Sequence, residues 1–368
     1  MTPRVEGIDD LVEIGRGGAS VVYAGTQQPF GRPVAVKVFG VALGDDGRRR
    51  FEREAAVIGA LGDCRGIVAV HASAVTDDGR PCTVMPLMAA SLASTVAAAG
   101  GRLDAVDVVP IGVAVAEALS RAHDRGVTHR DVKPENILAS DDGDWMISDF
   151  DIAGLADRSA STRTLGSFTP GHAPPERLDG TDRSPGVDES TAFDLARAGD
   201  IWSLGSTLYA ALEGRPPFGS AEDPGGVAGL VDRVRSGAPI SFHSPAPDAL
   251  RAAIERALHR DPSQRWPDAR SFAEVLRSVP DAPAAPATPA TPATPATPAT
   301  PATPATPATP ATPATPATPA RRDGAAASGL GPGRGRGLGV GLGRGVVVVA
   351  VACVVAVVLA AAVWIALT

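Results

Sequence analysis

The chain has 368 residues, an apolar fraction of 44%, only 4% aromatics and a formal net charge of −7. That length allows one large domain or two smaller ones, with a core resting on Val, Leu, Ile and Ala. The charge is uneven. Residues 1–280 carry 29 Lys+Arg against 39 Asp+Glu, and residues 281–368 carry 5 against 2. An acidic main part on a basic tail argues against nucleic acid as a partner.

The cysteines Cys64, Cys82 and Cys353 are scattered and form no CxxC. That argues against a disulfide framework or a zinc site and fits a reducing compartment. The opening MTPRVEGIDD has no apolar stretch of the kind a secretory signal needs. Basic residues are almost all arginine: the only lysines are Lys37 and Lys133. A GC-rich codon bias explains their scarcity but not their positions.

In chain order, residues 8–40 read as strands, with runs of Val, Ile and Ala broken by Gly-rich and Pro-containing turns. Residues 48–61 place Phe51, Ala55, Ile58 and Leu61 on one helical face. PCTVMPLM (81–88) is a short buried strand running into a bend. Residues 106–126 form a long apolar helix ended by Gly126. The order gives an α+β fold: a small sheet lobe, then a larger helical lobe.

Beyond Pro280 the composition changes. Residues 288–320 are eleven Thr-Pro-Ala triplets, expected as a polyproline-II spacer reaching roughly 100 Å at ~3.1 Å per residue. Within the linker 281–320 the threonines fall on one stripe, open to phosphorylation or a partner, although spacing alone explains the run. Residues 321–345 form a flexible Gly/Arg segment. The final 23 residues (346–368) carry no charge. As a helix they span about 34 Å, enough to cross a hydrocarbon core. A transmembrane helix is expected over 346–367, with Trp364 near its far interface.

The chemistry-bearing motifs begin with Gly15-Arg16-Gly17-Gly18-Ala19-Ser20-Val21-Val22. A low-bulk turn between strands can bring backbone N–H groups against phosphates, although such hairpins are often only structural. Lys37 ends the apolar strand Val34-Ala35-Val36 and needs an anionic partner if it points inward. Glu54, on the 48–61 helix, is one candidate, and a solvated carboxylate is the plain alternative. His129-Arg130-Asp131-Val132-Lys133-Pro134-Glu135-Asn136 follows, then Ser148-Asp149-Phe150. Together these groups supply cations for phosphates, hard oxygens for Mg²⁺ and a carboxylate for a nucleophile. A compact ammonium suits that work differently from a planar guanidinium, which gives lysine a reason to persist at 37 and 133.

These motifs resemble the bacterial branch of the eukaryotic-type (Hanks-type) serine/threonine protein kinases. The resemblance covers roughly residues 8–279 and includes Pro175-Glu176, Asp200-Ile201-Trp202-Ser203-Leu204-Gly205 and Arg265. It implies a bilobal kinase domain with ATP and Mg²⁺ as cofactors, Mn²⁺ being an alternative ion. By the same resemblance, Ile14, Gly15, Gly17, Gly18, Ser20, Val22, Ala35, Met85 and Met88 would form the nucleotide site. Lys37 would bind phosphates and pair with Glu54. Asp131 would take or orient the acceptor's proton, Lys133 would contact the γ-phosphate, and Asn136 and Asp149 would hold the metal. Arg130 would meet a phosphorylated activation-segment residue, with Thr162 and Thr164 as candidates. Asp200 would brace the catalytic loop. Glu176 and Arg265 would form a buried ion pair. Lys133 and Thr169 match the serine/threonine branch.

The sequence departs from the pattern at Ser20, at Pro174, and at Asp151, which follows Asp149-Phe150 where the family has glycine. Loss of that glycine's backbone freedom leaves a pseudokinase scaffold open as an alternative, and a small-molecule kinase of related fold is a third reading. Residues 177–199 look longer than usual and carry no assigned role. The kinase part is expected in the cytoplasm, where ATP is. The arginines at 321, 322, 334, 336 and 344 put the basic flank of the apolar segment on that side. The expected protein is a single-pass membrane kinase without a sensor domain of its own. It would act on Ser/Thr of protein substrates and phosphorylate its own activation segment, and the tail would allow a homodimer.

Overall fold

The computed structural model describes residues 2–17, 20–40, 45–150, 170–184 and 186–280, except the side chains of residues 45, 46, 50, 54 and 183. The chain divides between residues 290 and 291, and every described residue lies in the first part. Asp151, Thr162, Thr164, Thr169 and Gly18 fall outside the described residues, as do the repeat linker, the Gly/Arg segment and the expected span at 346–367. Among the described residues no helix is long and apolar enough to cross a membrane.

The first lobe is built on five antiparallel strands. β1 (Ile8–Arg16), β2 (Ser20–Gln27) and β3 (Arg32–Phe39) run consecutively. Helix α1 (Asp45–Gly59) follows, then β4 (Ala72–Val75) and β5 (Pro81–Pro86). The sheet order is β1-β2-β3-β5-β4. Period-two alternation decides which way each side chain of β3 points. Val34, Val36 and Val38 are fully buried in one cluster with Tyr23, Cys82 and Val84. Ala35 faces the other way, into a second cluster with Met85 and Val68. Lys37 shares the parity of Ala35. Helix α1 buries Phe51, Ala55 and Ile58, as its periodicity predicts, and Leu61 just beyond its end is also buried. Phe51 meets Phe39 edge-on at 5.8 Å.

The second lobe starts with β6 (Ala90–Ser91) and α2 (Leu92–Ala98). Then come α3 (Ala105–His123), β7 (Ile137–Ala139) and β8 (Trp145–Ile147). Ser91 caps α2 through a reciprocal box with Ser94. The apolar helix expected over 106–126 is α3; it ends at His123, and Gly126 turns the chain at φ +75°. Strands β6, β7 and β8 form a small antiparallel sheet, and the loop through residues 128–136 leads into β7. Helix α4 (Pro175–Leu178) is followed by α5 (Glu189–Glu213), α6 (Gly226–Ser236), α7 (Asp248–Ala257) and α8 (Ala269–Arg277). Helix α5 is buried almost continuously from Gly199 to Leu212, as expected for a helix packed on all sides. Asp188 caps its start by accepting from the Thr191 N–H. Gly214 closes its end at φ +77°, where a Cβ would lie 2.7 Å from the Gly101 carbonyl. Much of the stretch between Glu176 and Asp200 is helix, since α5 begins eleven residues before Asp200.

Candidate active site

Strand pairing assembles the nucleotide end. Ala35 sits opposite Met85, and Val22 opposite Lys37. Val22, Ala35, Met85 and Met88 join one apolar cluster with Val68, Leu87, Leu138 and Met146. The last four were not anticipated. Val68, Leu138 and Met146 come from segments far from β3 in sequence, and only pairing of β7 with β8 brings Leu138 and Met146 opposite each other. Ile14 is 54% exposed and lies outside that cluster. At the Gly-rich turn, the Gly17 N–H donates to the Ser20 carbonyl at 2.8 Å. A Cβ at Gly15 would meet nothing within 4 Å, and one at Gly17 nothing closer than 3.8 Å. Among the described residues packing does not demand glycine at either position, which leaves the backbone there open to approach.

The Lys37 ammonium pairs with the Asp149 carboxylate at 2.8 Å. It also lies 5.7 Å from the Phe39 ring centroid. The expected partner Glu54 is on α1, but its side chain is outside those described, so Asp149 is the carboxylate placed on Lys37 here. Lys133 Nζ is 2.7 Å from Asp131 Oδ2. Asn136 Nδ2 donates to the Asp131 carbonyl at 2.8 Å and to Asp131 Oδ2 at 3.2 Å. With its amide nitrogen so engaged, Asn136 keeps its side-chain carbonyl oxygen for another partner. Asp131, Lys133 and Asn136 thus form one group, and Lys37 with Asp149 a second.

The loop between these groups is held by buried polar contacts. Asp200, fully buried on α5, accepts from the His129 N–H at 2.7 Å, the Arg130 N–H at 2.6 Å and His123 Nε2 at 2.9 Å. Burial alone would raise the Asp200 carboxyl, but hydrogen bonding from His123 and its neighbours wins and holds it below the usual range. His129 takes the Asp131 N–H on Nδ1, so its Nε2 carries the proton donated to the Ser148 carbonyl at 2.7 Å. Burial keeps that imidazole below its ordinary pKa despite the Asp200 charge. Its ring packs on Phe150 at 4.6 Å. Arg130 and Asp149 both have left-handed backbones, at φ +66° and +63°. Such conformations cost about 1–3 kcal/mol each and persist when neighbours over-determine them. Asp200 does so for Arg130, and the His129–Ser148 bond does so next to Asp149.

Arg130 also points its guanidinium at Asp182, with Nη1 3.9 Å from Oδ2. Its phosphorylated partner in the activation segment was an expectation on residues outside those described. Neither His123 nor Asp182 was singled out from sequence: each acts across more than fifty residues, and a lone His or Asp carries no local signal. Glu176 and Arg265 do form the buried pair, with two contacts of 2.7 and 2.8 Å. Cys64 and Cys82 are free and buried, and burial pushes the Cys82 thiol up to about 11.

Asp149 and the Asn136 carbonyl are hard oxygen donors beside two lysines, a set that fits Mg²⁺ or a similar ion shared with phosphate oxygens. Among the described residues no group of three or more His, Cys, Asp or Glu could hold a metal alone. Two protein oxygens plus phosphate and water is the usual manner for Mg²⁺.

A strand-rich lobe with a lysine on its third strand, above a helical lobe whose loop presents Asp, Lys and Asn together, defines a protein kinase. The chain belongs to that family, since residues 8–277 match the protein kinase domain. It is 36% identical over 273 residues to the serine/threonine-protein kinase PknK of Mycobacterium tuberculosis, covering 74% of this chain and 24% of that protein. It is 34% identical to PkaA of Streptomyces coelicolor, another serine/threonine-protein kinase, covering 71% and 45%. A probable serine/threonine-protein kinase PknB of Corynebacterium glutamicum is 30% identical, covering 72% and 40%. The chain therefore spans less than half the length of these relatives.

Proposed function

We propose that this chain transfers the γ-phosphoryl group of ATP to Ser and Thr hydroxyls of proteins. The observation that carries the reading is the group of Asp131, Lys133 and Asn136, tied by the Ser148 N–H donating to the Asn136 carbonyl at 2.9 Å to the residue next to Asp149, which pairs with Lys37. Asp131 would orient the acceptor hydroxyl and take its proton. Lys133, 2.7 Å from Asp131, offers a cation to the phosphoryl oxygens as charge builds on them. Lys37 holds the nucleotide's phosphates, and the cluster around Ala35 and Met85 takes its base. Asp149 and Asn136 would hold a divalent cation, which neutralises phosphate charge when bound. The serine/threonine-kinase names of the relatives, with Lys133 and Thr169, support hydroxyl acceptors of that type.

The same proposal extends to the rest of the chain. The uncharged 346–367 segment, flanked by arginines, would anchor the protein in a membrane with the kinase part in the cytoplasm. The Thr-Pro-Ala run would be its spacer, and Thr162 and Thr164 would be sites of self-phosphorylation. In the test, residues 1–290 are incubated with γ-labelled ATP, Mg²⁺ and a protein substrate, beside Asp131→Asn. Transfer should fall about 10²–10⁴-fold in the variant. Nucleotide binding by the wild type without transfer would instead support the scaffold reading that Asp151 raises.

A further inference from the structure

Three helices meet at a cleft that the chemistry above does not use. It holds about 360 Å³ and is lined by Ser120, His123 and Asp124 at the end of α3, Arg197 on α5, and Asp268 and Arg270 at the start of α8. That volume lies at the lower end of the roughly 300–1,000 Å³ usual for small-molecule sites. Two of these side chains carry a buried nitrogen with no hydrogen-bond partner among the described residues: His123 Nδ1 and Arg197 Nε. Leaving a buried polar group unpaired is costly. The His123 side chain is only 4% exposed. Its Nε2 is turned to Asp200, which does not line the cleft and whose ionised carboxylate can only accept. Nε2 therefore carries the proton, and Nδ1 of the neutral ring is a bare acceptor. Arg197 is the opposite case. Its Nη2 lies 3.3 Å from the Asp194 carboxylate, which leaves the Nε–H as an unused donor.

The charges on the walls balance, Arg197 and Arg270 against Asp124 and Asp268. Arg270 Nη2 pairs with Asp124 Oδ2 at 3.2 Å. The Ser271 N–H, helped by the charges of Arg197 and Arg270, holds the Asp268 carboxyl below its usual range. An anionic ligand would face two carboxylates there, and a cationic one two guanidiniums. A molecule that carries both charges meets neither penalty. We propose that this cleft binds an α-amino acid as its zwitterion, the carboxylate accepting from Arg197 Nε and the ammonium donating to His123 Nδ1. The ligand then supplies the acceptor and the donor that the two buried nitrogens lack. An ammonium on Nδ1 also fixes the His123 tautomer whose Nε2 serves Asp200, and Asp200 in turn holds the backbone N–H groups of His129 and Arg130. An occupied cleft should thus stabilise the helical lobe around that brace. The inference stands apart from the phosphotransfer reading.

The test titrates the full chain calorimetrically with each common L-amino acid, beside inorganic phosphate and glucose. At least one amino acid should bind saturably and one to one, with a Kd of about 1 mM or tighter, and raise the thermal midpoint. The N-trimethyl form of the best binder keeps both charges but has no N–H to give, so it should bind at least roughly tenfold more weakly. Arg197→Met should lose roughly tenfold or more in affinity for the same amino acid. No amino acid binding at about ten times the expected Kd overturns the inference. Binding of phosphate or glucose in place of every amino acid also overturns it. So does equal affinity for the trimethyl form, or undiminished binding by Arg197→Met. Amino-acid binding by a chain that transfers no phosphate would leave the inference standing while the phosphotransfer reading fails. If Arg197→Met does not fold, the ligand panel and the trimethyl comparison still decide.

Discussion

Replacing Arg265 by Met should bring the kinase domain close to unfolding. All five of its N–H groups are used. Nε donates to the His259 carbonyl at 2.8 Å, and Nη1 to Glu176 Oε1 at 2.7 Å and the Ala198 carbonyl at 2.9 Å. Nη2 donates to Glu176 Oε2 at 2.8 Å and the Arg260 carbonyl at 3.2 Å. The side chain is fully buried, and its guanidinium lies 4.9 Å from the Trp202 ring centroid. Met can fill the volume but donates nothing, so Glu176, itself 7% exposed, keeps a charge without its partner. Breaking a buried pair in this way costs about 3–5 kcal/mol, against a total of about 5–15 kcal/mol for a typical domain. Arg265→Lys keeps the charge but cannot reproduce the fork, so it should fall between wild type and Met.

The assay is urea unfolding of residues 1–290, followed by tryptophan fluorescence and checked for an unchanged slope. The double variant Arg265→Met/Glu176→Met removes the stranded charge, so its loss should be about 2–3 kcal/mol smaller than the sum of the single losses. A loss under about 1 kcal/mol for Arg265→Met, or strict additivity in the double variant, would refute this reasoning.

Two other expectations are open to measurement. His172 is buried and bonded to the Ser206 hydroxyl at 2.8 Å; burial, with the Lys133 cation, lowers its pKa to about 4 from 6.5. Between those values the unfolded chain binds the proton and the folded one does not. Stability therefore rises with pH through that window and is lost as pH falls, by about 3 kcal/mol from this group. Denaturation midpoints at pH 7 and pH 4.5 should converge in His172→Gln relative to wild type; an unchanged difference would show that His172 does not carry the acid limb. Deleting residues 346–368 should move the protein from the membrane fraction to the supernatant; full retention at the membrane would argue against a span there.

Much of the site is legible in the sequence because it is local. Asp131, Lys133 and Asn136 lie within six residues, and the loop they form needs few distant contacts to bring them together. The helical face of Phe51, Ala55, Ile58 and Leu61 and the buried parity of Val34, Val36 and Val38 follow from periodicity alone. What could not be read is set by long-range docking. His129 lies 71 residues from the Asp200 carboxylate that holds its backbone. The apolar cluster around Ala35 and Met85 takes Val68 from one segment and Leu138 and Met146 from a hairpin. Asp182 reaches Arg130 from a 3-10 turn 52 residues further along the chain. The Lys37–Asp149 contact shows the same limit, since 112 residues separate the two groups, while the expected contact to Glu54 falls on a side chain outside those described.

The central claim is tested most directly by identifying the amino acid that receives phosphate. Residues 1–290 are incubated with γ-labelled ATP and Mg²⁺ together with a protein bearing Ser, Thr and Tyr, and the products are hydrolysed and separated as phosphoamino acids. Label should appear in phosphoserine and phosphothreonine and should be lost with Lys37→Met. Label in phosphotyrosine alone, or no label that depends on Lys37, would contradict the account.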